Sequence, residues 1–145
     1  MLPSFSYLIF AVYPQVSTSD FTNGNIVLLD DGEGPYISQW HLDVPEPTTE
    51  QLYSVDNQLT AARMEGEVVI TAQATDASNK VLKKLDYSLY ISQAALPESS
   101  RLIQYQAAID ANNAIALETE QREQAIYAAT TIEEVNAIVY PPKAS

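Results

Sequence analysis

The chain has no cysteine and one histidine, His41, in 145 residues. The first absence excludes disulfide frameworks, thiolate zinc sites and cysteine nucleophiles together. The second leaves a single base for any Ser-His-Asp triad and excludes metal sites built on two or more histidines. Positive charge is scarce: seven Lys and Arg stand against nineteen Asp and Glu, a formal −12. None of the seven precedes Arg63, whereas Asp20, Asp30, Asp31, Glu33, Asp43, Glu46, Glu50 and Asp56 all do. Such an N-terminal half repels phosphate backbones and anionic lipid, so no nucleic acid and no membrane is expected as a partner. Its acidity keeps the protein soluble or steers encounter with a basic protein.

Long apolar runs are also missing. Tyr7-Leu-Ile-Phe-Ala-Val-Tyr13 is too short to span a bilayer and lacks the basic flank of a secretory signal. It reads as a buried helix of a protein made and folded in the cytoplasm. The chain has no Gly-x-x-x-x-Gly-Lys phosphate loop, no Gly-x-Gly-x-x-Gly turn and no Gly-x-Ser-x-Gly elbow. Asp30, Asp31 and Glu33 lack the alternating ligand register of a calcium loop, which leaves a solvated turn. Glu118 with Glu120, and Glu133 with Glu134, do not share a helical face, so paired-carboxylate chemistry is not inferred. Lys80, Lys83 and Lys84 form the sole basic cluster, spaced for ion pairs with acids such as Asp76. His41 reads as structural. No catalysis, cofactor or metal is expected.

What is present is a succession of local folding signals. Phe5, Leu8, Ile9 and Val12 mark a short amphipathic helix ending before Pro14. Ser17 to Asn25 is rich in turn formers. Ile26-Val-Leu-Leu29 is a short strand, and Asp30-Asp-Gly-Glu-Gly34 turns the chain, with Gly32 and Gly34 able to take positive φ. Residues 36–42 form the return strand. Strict alternation puts Tyr36, Ser38, Trp40 and Leu42 on one face and Ile37, Gln39 and His41 on the other. Trp40 and Tyr36 are then expected to pack on the first helix or to anchor a partner.

Pro45 and Pro47 hold a connector extended. Thr48, with Gln51, supplies a capping box. From there Leu52, Val55, Leu59, Ala62, Gly66 and Val69 alternate steps of three and four, the coiled-coil spacing. The seam continues through Ile70, Ala74, Ala77, Val81, Leu85, Ser88 and Ile91. Gly66 is a weak point, at about 1 kcal/mol. A break there, or a β-strand over residues 67–72, is the alternative. Pro97 ends this helix. Ser99 or Ser100 caps another, reaching about residue 129, with a thin stripe at Leu102, Ile109, Ala116 and Ile126. Thr130 and Thr131 with Glu133 and Glu134 start a last helix over residues 132–139.

The expected fold is α+β. A short N-terminal helix and β-hairpin form one module over residues 1–47, and a mostly helical region follows over 48–145. Nearly fifty residues of continuous helix would reach about 70 Å, longer than a compact domain of this size needs. Such a rod points to an interaction protein, with Leu52, Val55, Leu59, Val69, Leu85 and Leu102 as the seam residues offered to a neighbouring helix.

One combination of features goes beyond physics. Asp20-Phe21, the turn Asp30-Asp-Gly-Glu-Gly-Pro-Tyr-Ile37, Trp40 and the helix start Pro45-x-Pro-Thr-x-x-Gln-Leu52 together resemble the small XkdW-like proteins of contractile phage and prophage tails. The resemblance covers roughly residues 7–62, and Thr131 to Pro141 is similar to the end of other small tail proteins. It implies a non-catalytic structural protein of a phage tail, at the baseplate or where a tail fibre attaches. The alternative is a fibre-assembly chaperone that leaves before the virion is complete. The implied partners are other tail, baseplate or fibre proteins, with self-association through the helices as a variant. The implied location is the host cytoplasm, and the virion tail if the protein is retained. The resemblance carries over no site residue.

Overall fold

The computed structural model describes residues 1–92 and 98–142, with side chains over 1–85 and 101–142. The expected boundary at Pro97 lies outside the described residues. So do the side chains of Ser88, Ile91, Ser99 and Ser100, read above as seam or cap. The elements are α1 (Phe5–Val12), α2 (Thr18–Thr22), β1 (Ile26–Asp30), β2 (Pro35–Trp40), α3 (Thr49–Leu52), α4 (Val55–Ser92), α5 (Glu98–Ala128) and α6 (Ile132–Val139). Helix dominates over one antiparallel hairpin, the α+β arrangement expected. The chain divides into two compact units: residues 1–65 with 130–136, and residues 66–129 with 137–145.

The first unit is built around Leu8, Ile9, Val16, Ile26, Leu52 and Ala61, all buried. Its helix α1 begins where Ser4 donates its amide and its hydroxyl to the two carboxylate oxygens of Glu65. A carboxylate there also meets the positive end of the helix dipole. The segment 17–25 was expected to be a turn and instead contains α2. Ser17 and Asp20 cap each other reciprocally. Asp replaces the usual Glu or Gln of the box, which hides the signal. Around the buried cluster the aromatic rings meet edge to face. Tyr7 and Phe10 lie 5.5 Å apart between centroids, and Phe10 and Phe21 5.6 Å. Such pairs add about 0.5–1.5 kcal/mol each beyond area burial.

The hairpin turn is tied by its own acids. Asp30 Oδ1 accepts from the amides of Gly32 at 2.8 Å and Gly34 at 3.2 Å, and Asp31 Oδ1 from Glu33 at 3.3 Å. Gly32 and Gly34 stand at φ +103° and +112°, where a side chain would be strained. The strands are not regularly alternating. Val27 pairs with Gln39 but Leu28 pairs with Ile37, so Ser38 is an extra residue bulged out of β2. The bulge corrects the expected faces. Ile37 and Trp40 both pack on the core, while Tyr36 is 43% exposed.

Thr48 and Gln51 form the expected capping box at α3. The helix does not then run on: it stops at Tyr53, and Ser54 Oγ accepts the Asn57 amide to start α4 afresh. Asn57 Nδ2 donates to the carbonyls of both Leu8 and Leu52, at 3.0 and 2.9 Å, joining α1, α3 and α4. From Val55 the helix is unbroken through Gly66, and residues 67–72 are helical. Ala62, Gly66 and Ile70, at steps of four, are all buried. That spacing fits a helical face and not the alternation a strand would show.

In the second unit α4 and α5 run antiparallel. Tyr127 bonds to Glu67, Thr71 to Glu123, Gln73 to Arg122 and Ser78 to Asn112, so the partners descend α5 as they ascend α4. Among the described residues its buried apolar side chains are Ile70, Ile126, Ala129 and Val139. At the end of α6, Arg122 donates to the carbonyls of Ile138 and Val139, and Gln73 to that of Val139 at 3.1 Å. These are carbonyls a helix terminus leaves unpaired, and a cation there also suits the helix dipole.

Candidate partner-binding surfaces

The eight residues singled out from the sequence are divided between the two units. In the first unit, Leu52 is 4% exposed and belongs to the core. Leu59 is half-buried. Val55, three residues from Leu52, is 80% exposed. Trp40 is half-buried: its Nε1–H donates to the Val44 carbonyl at 2.7 Å and its ring lies 6.0 Å from that of Tyr13. That bond satisfies the one polar atom that packing the indole would otherwise leave unpaired.

In the second unit, Val69 and Leu85 are half-buried on α4, and Leu102 is 61% exposed on α5. The α4 seam from Ile70 to Leu85 is buried or half-buried at each of its five positions. Two faces of α5 can be separated by their angular position. Gln104, Ala108, Ala111, Ile115, Arg122 and Ile126 lie on one side and are all buried or half-buried. Leu102, Tyr105, Ile109 and Leu117 lie on the opposite side and are exposed, Leu117 at 57%. The thin stripe read from the sequence thus mixes both faces, since Ile126 is fully buried while Leu102 and Ile109 are not.

His41 Nε2 sits 3.4 Å from Gln39 Oε1 on the exposed strand end. Lys80 pairs with Asp76 at 3.0 Å, as its spacing predicts. Asp20 is held below the usual carboxylate range by the Ser17 amide first and the Asn25 side chain second. Burial, and then the charge of Glu65, push Tyr7 upward. Among the described residues no group of three His, Asp or Glu gathers as metal ligands would, and no helix is long and apolar enough to cross a membrane.

The first unit also holds an apolar groove of about 170 Å³, lined by Leu2, Pro3, Phe5, Pro35, Tyr53 and Gln58 among others. Sequence reading missed it, because its walls come from four separate segments. It also missed Ser4, Asn57, Glu65 and Arg122, whose roles depend on carbonyls and amides distant in sequence. The acidic unit and the groove coincide: residues 1–65 and 130–136 carry eleven carboxylates against Arg63 alone, a formal −10. The second unit carries eight carboxylates against six Lys and Arg, a formal −2.

No curated protein and no solved structure matches the chain. The family described as XkdW protein matches residues 5–64, nearly the whole first segment of the acidic unit and none of the helical hairpin beyond it. The resemblance read from the turn, Trp40 and the capped helix start is therefore borne out over that stretch, which is similar to the XkdW family.

Proposed function

We propose that this protein is a non-catalytic structural component of a phage tail, acting at the baseplate or where a fibre attaches. The XkdW-like segment at residues 5–64 is the observation that carries the reading. The outward face of α5 supports it, because Leu102, Tyr105, Ile109 and Leu117 hold one apolar side of the helix open to solvent. Large apolar side chains exposed together on one side of a helix, here interleaved with Gln106 and Asn113, favour an interaction surface. Other tail subunits cover it. The seam proposed from the sequence moves accordingly from α3 and α4, where Leu52 is buried in the first unit's core and Val69 and Leu85 are half-buried, to the α5 side.

Mass spectrometry of purified particles tests the reading. A tail component is present at fixed stoichiometry. An assembly chaperone that departs is found with fibre proteins in the lysate and not in the particle. Ile109→Asp then tests the surface. Ile109 is 51% exposed, so a carboxylate there leaves the fold intact but places an uncompensated charge in the contact. Loss of the variant from particles is expected. Incorporation at the parent level would remove α5 from the contact.

A further inference from the structure

We infer that the helical hairpin carries a pocket for a tryptophan side chain presented by another protein. The pocket lies between α4 and α5, apart from the outward face of α5, and has a volume of about 310 Å³. Its described walls are Val81 and Leu85 of α4 and Ala107, Ala108 and Ala111 of α5. Three alanines opposite two branched aliphatics are too short to fill the space between the helices, and a well-packed interior leaves few such voids. Lys84 and Gln104 complete the lining. Gln104 Oε1 is shut off from water and accepts no hydrogen bond. Among the described residues it is the only buried side-chain oxygen or nitrogen so left.

The lining selects the occupant. The walls call for an apolar body, and the orphaned oxygen calls for one N–H or O–H donor. The terminal torsion of a glutamine is soft, so a turn of the amide presents Oε1 to a group entering the pocket. An aliphatic side chain or a phenylalanine would fill the space and leave the oxygen unpaired. A lysine or arginine would bring a like charge to Lys84. An indole has a large apolar body and a single donor. Size agrees: a cavity of about 150 Å³ admits benzene, and this one is about twice that, room for a bicyclic ring. Lys84 is exposed where it lines the pocket, and an ammonium gains more over an indole face than over the ring of Tyr or Phe. A second copy does not supply the indole. Trp40 is the chain's only tryptophan, and its Nε1–H is already given to the Val44 carbonyl. The occupant therefore comes from a different protein, and tryptophan is a residue on which such contacts often turn.

The test uses the full chain, labelled with ¹⁵N, and three probes. They are N-acetyl-tryptophanamide, its 1-methyl derivative, which keeps the ring and loses the donor, and N-acetyl-phenylalaninamide. Saturable shifts are expected at the amides of Val81, Leu85, Ala108 and Ala111 and at the side-chain amide of Gln104. The 1-methyl probe should bind about fivefold more weakly, the loss of one neutral hydrogen bond. Gln104→Met keeps the length of the side chain and removes the acceptor, so it should bring the two tryptophan probes to equal binding. Lys84→Met, at an exposed residue, should weaken both by about two- to fivefold and leave their ratio unchanged. Equal binding of the two tryptophan probes by the parent would overturn the inference. So would a ratio that survives Gln104→Met, which would trace it to the bulk of the added methyl, a preference for the phenylalanine probe, or no shift in the pocket. These outcomes are independent of whether the protein is found in tail particles.

Discussion

The two units of this chain are held together by different means. Residues 1–65 with 130–136 bury a cluster of large aliphatic side chains inside a ring of aromatics. Residues 66–129 with 137–145 bury few large side chains completely among those described, and pair a half-buried, largely small-residue seam with polar contacts such as Ser78 to Asn112 and Arg122 to Gln73. Apolar burial scales with area and dominates stability, whereas a hydrogen bond nets only about 1 kcal/mol. The difference teaches where each unit spends its apolar residues. The acidic unit gathers large aliphatic side chains into one buried cluster, and the near-neutral hairpin leaves Leu102, Tyr105, Ile109 and Leu117 exposed on the outside of α5. Net charge follows the same division, −10 in the first unit and −2 in the second.

The sharpest way to break this comparison is Ile9→Ala. Ile9 has no exposed surface at the centre of the first unit, and emptying such a site costs about 2–5 kcal/mol. Near-UV circular dichroism, which reports the aromatic ring around Ile9, should melt at markedly lower temperature. Far-UV helical signal from α4 and α5 should persist above that transition. Coincident loss of both signals would show one cooperative body and not two.

Trp40→Ala comes next. The indole is half-buried, so about 3 kcal/mol is expected, the lower end for truncating a large aromatic. Trp40→Phe separates packing from the hydrogen bond to Val44 and should cost about 1 kcal/mol in a urea melt. If the two variants melt alike, the hydrogen bond and not the packing secures the strand.

Much of this was legible in the sequence where the signal is local. Phe5, Leu8, Ile9 and Val12 of α1, the Thr48 box and the Gly turn each lie within eight residues of chain, and each formed as expected. The misses have one cause: the deciding atoms are distant or leave no trace in composition. An extra Ser38 looks like any strand residue, yet it moves Tyr36 off the packed face. Ser54 caps α4 inside a run whose three-and-four spacing continues across it. Helical periodicity identifies an apolar face but not what covers it, so the α4 seam and the α5 stripe looked equivalent until α5 was seen lying on the first. The groove could not be found at all without the fold.

Arg122→Ala probes the polar side of the comparison. The guanidinium holds the last carbonyls of α6, and hydrogen bonds to a charged group contribute about 1.5–3 kcal/mol. The loss should be local. Amides of residues 136–140 should exchange faster while the aromatic signal of the first unit is unmoved. A global drop in stability equal to that of Ile9→Ala would mean that the hairpin depends on this one cap, and that the division by apolar burial is wrong.

The smallest effect concerns Asp20, which has its pKa lowered from 3.8 chiefly by the Ser17 amide at 2.9 Å, and next by Asn25 Nδ2 at 3.2 Å. Burial works in the opposite direction and the Ser17 hydroxyl adds a little to the lowering. A folded-state pKa below the unfolded value means that folding favours the ionised form. Its contribution is therefore fully present above the unfolded value and is lost as pH falls through the folded one. Asp20→Asn keeps the shape but replaces one carboxylate oxygen with a donor, so the Ser17 amide loses its charged acceptor. The variant should melt slightly below the parent at pH 7, and the gap should close as pH falls through the folded-state pKa of Asp20. The helical hairpin contains no such reciprocal box among its described residues, so its exchange rates should not change with the variant at either pH. A gap that stays constant from pH 7 to acid would show that the ionised carboxylate contributes nothing and that α2 is held by the packing of Phe21 alone.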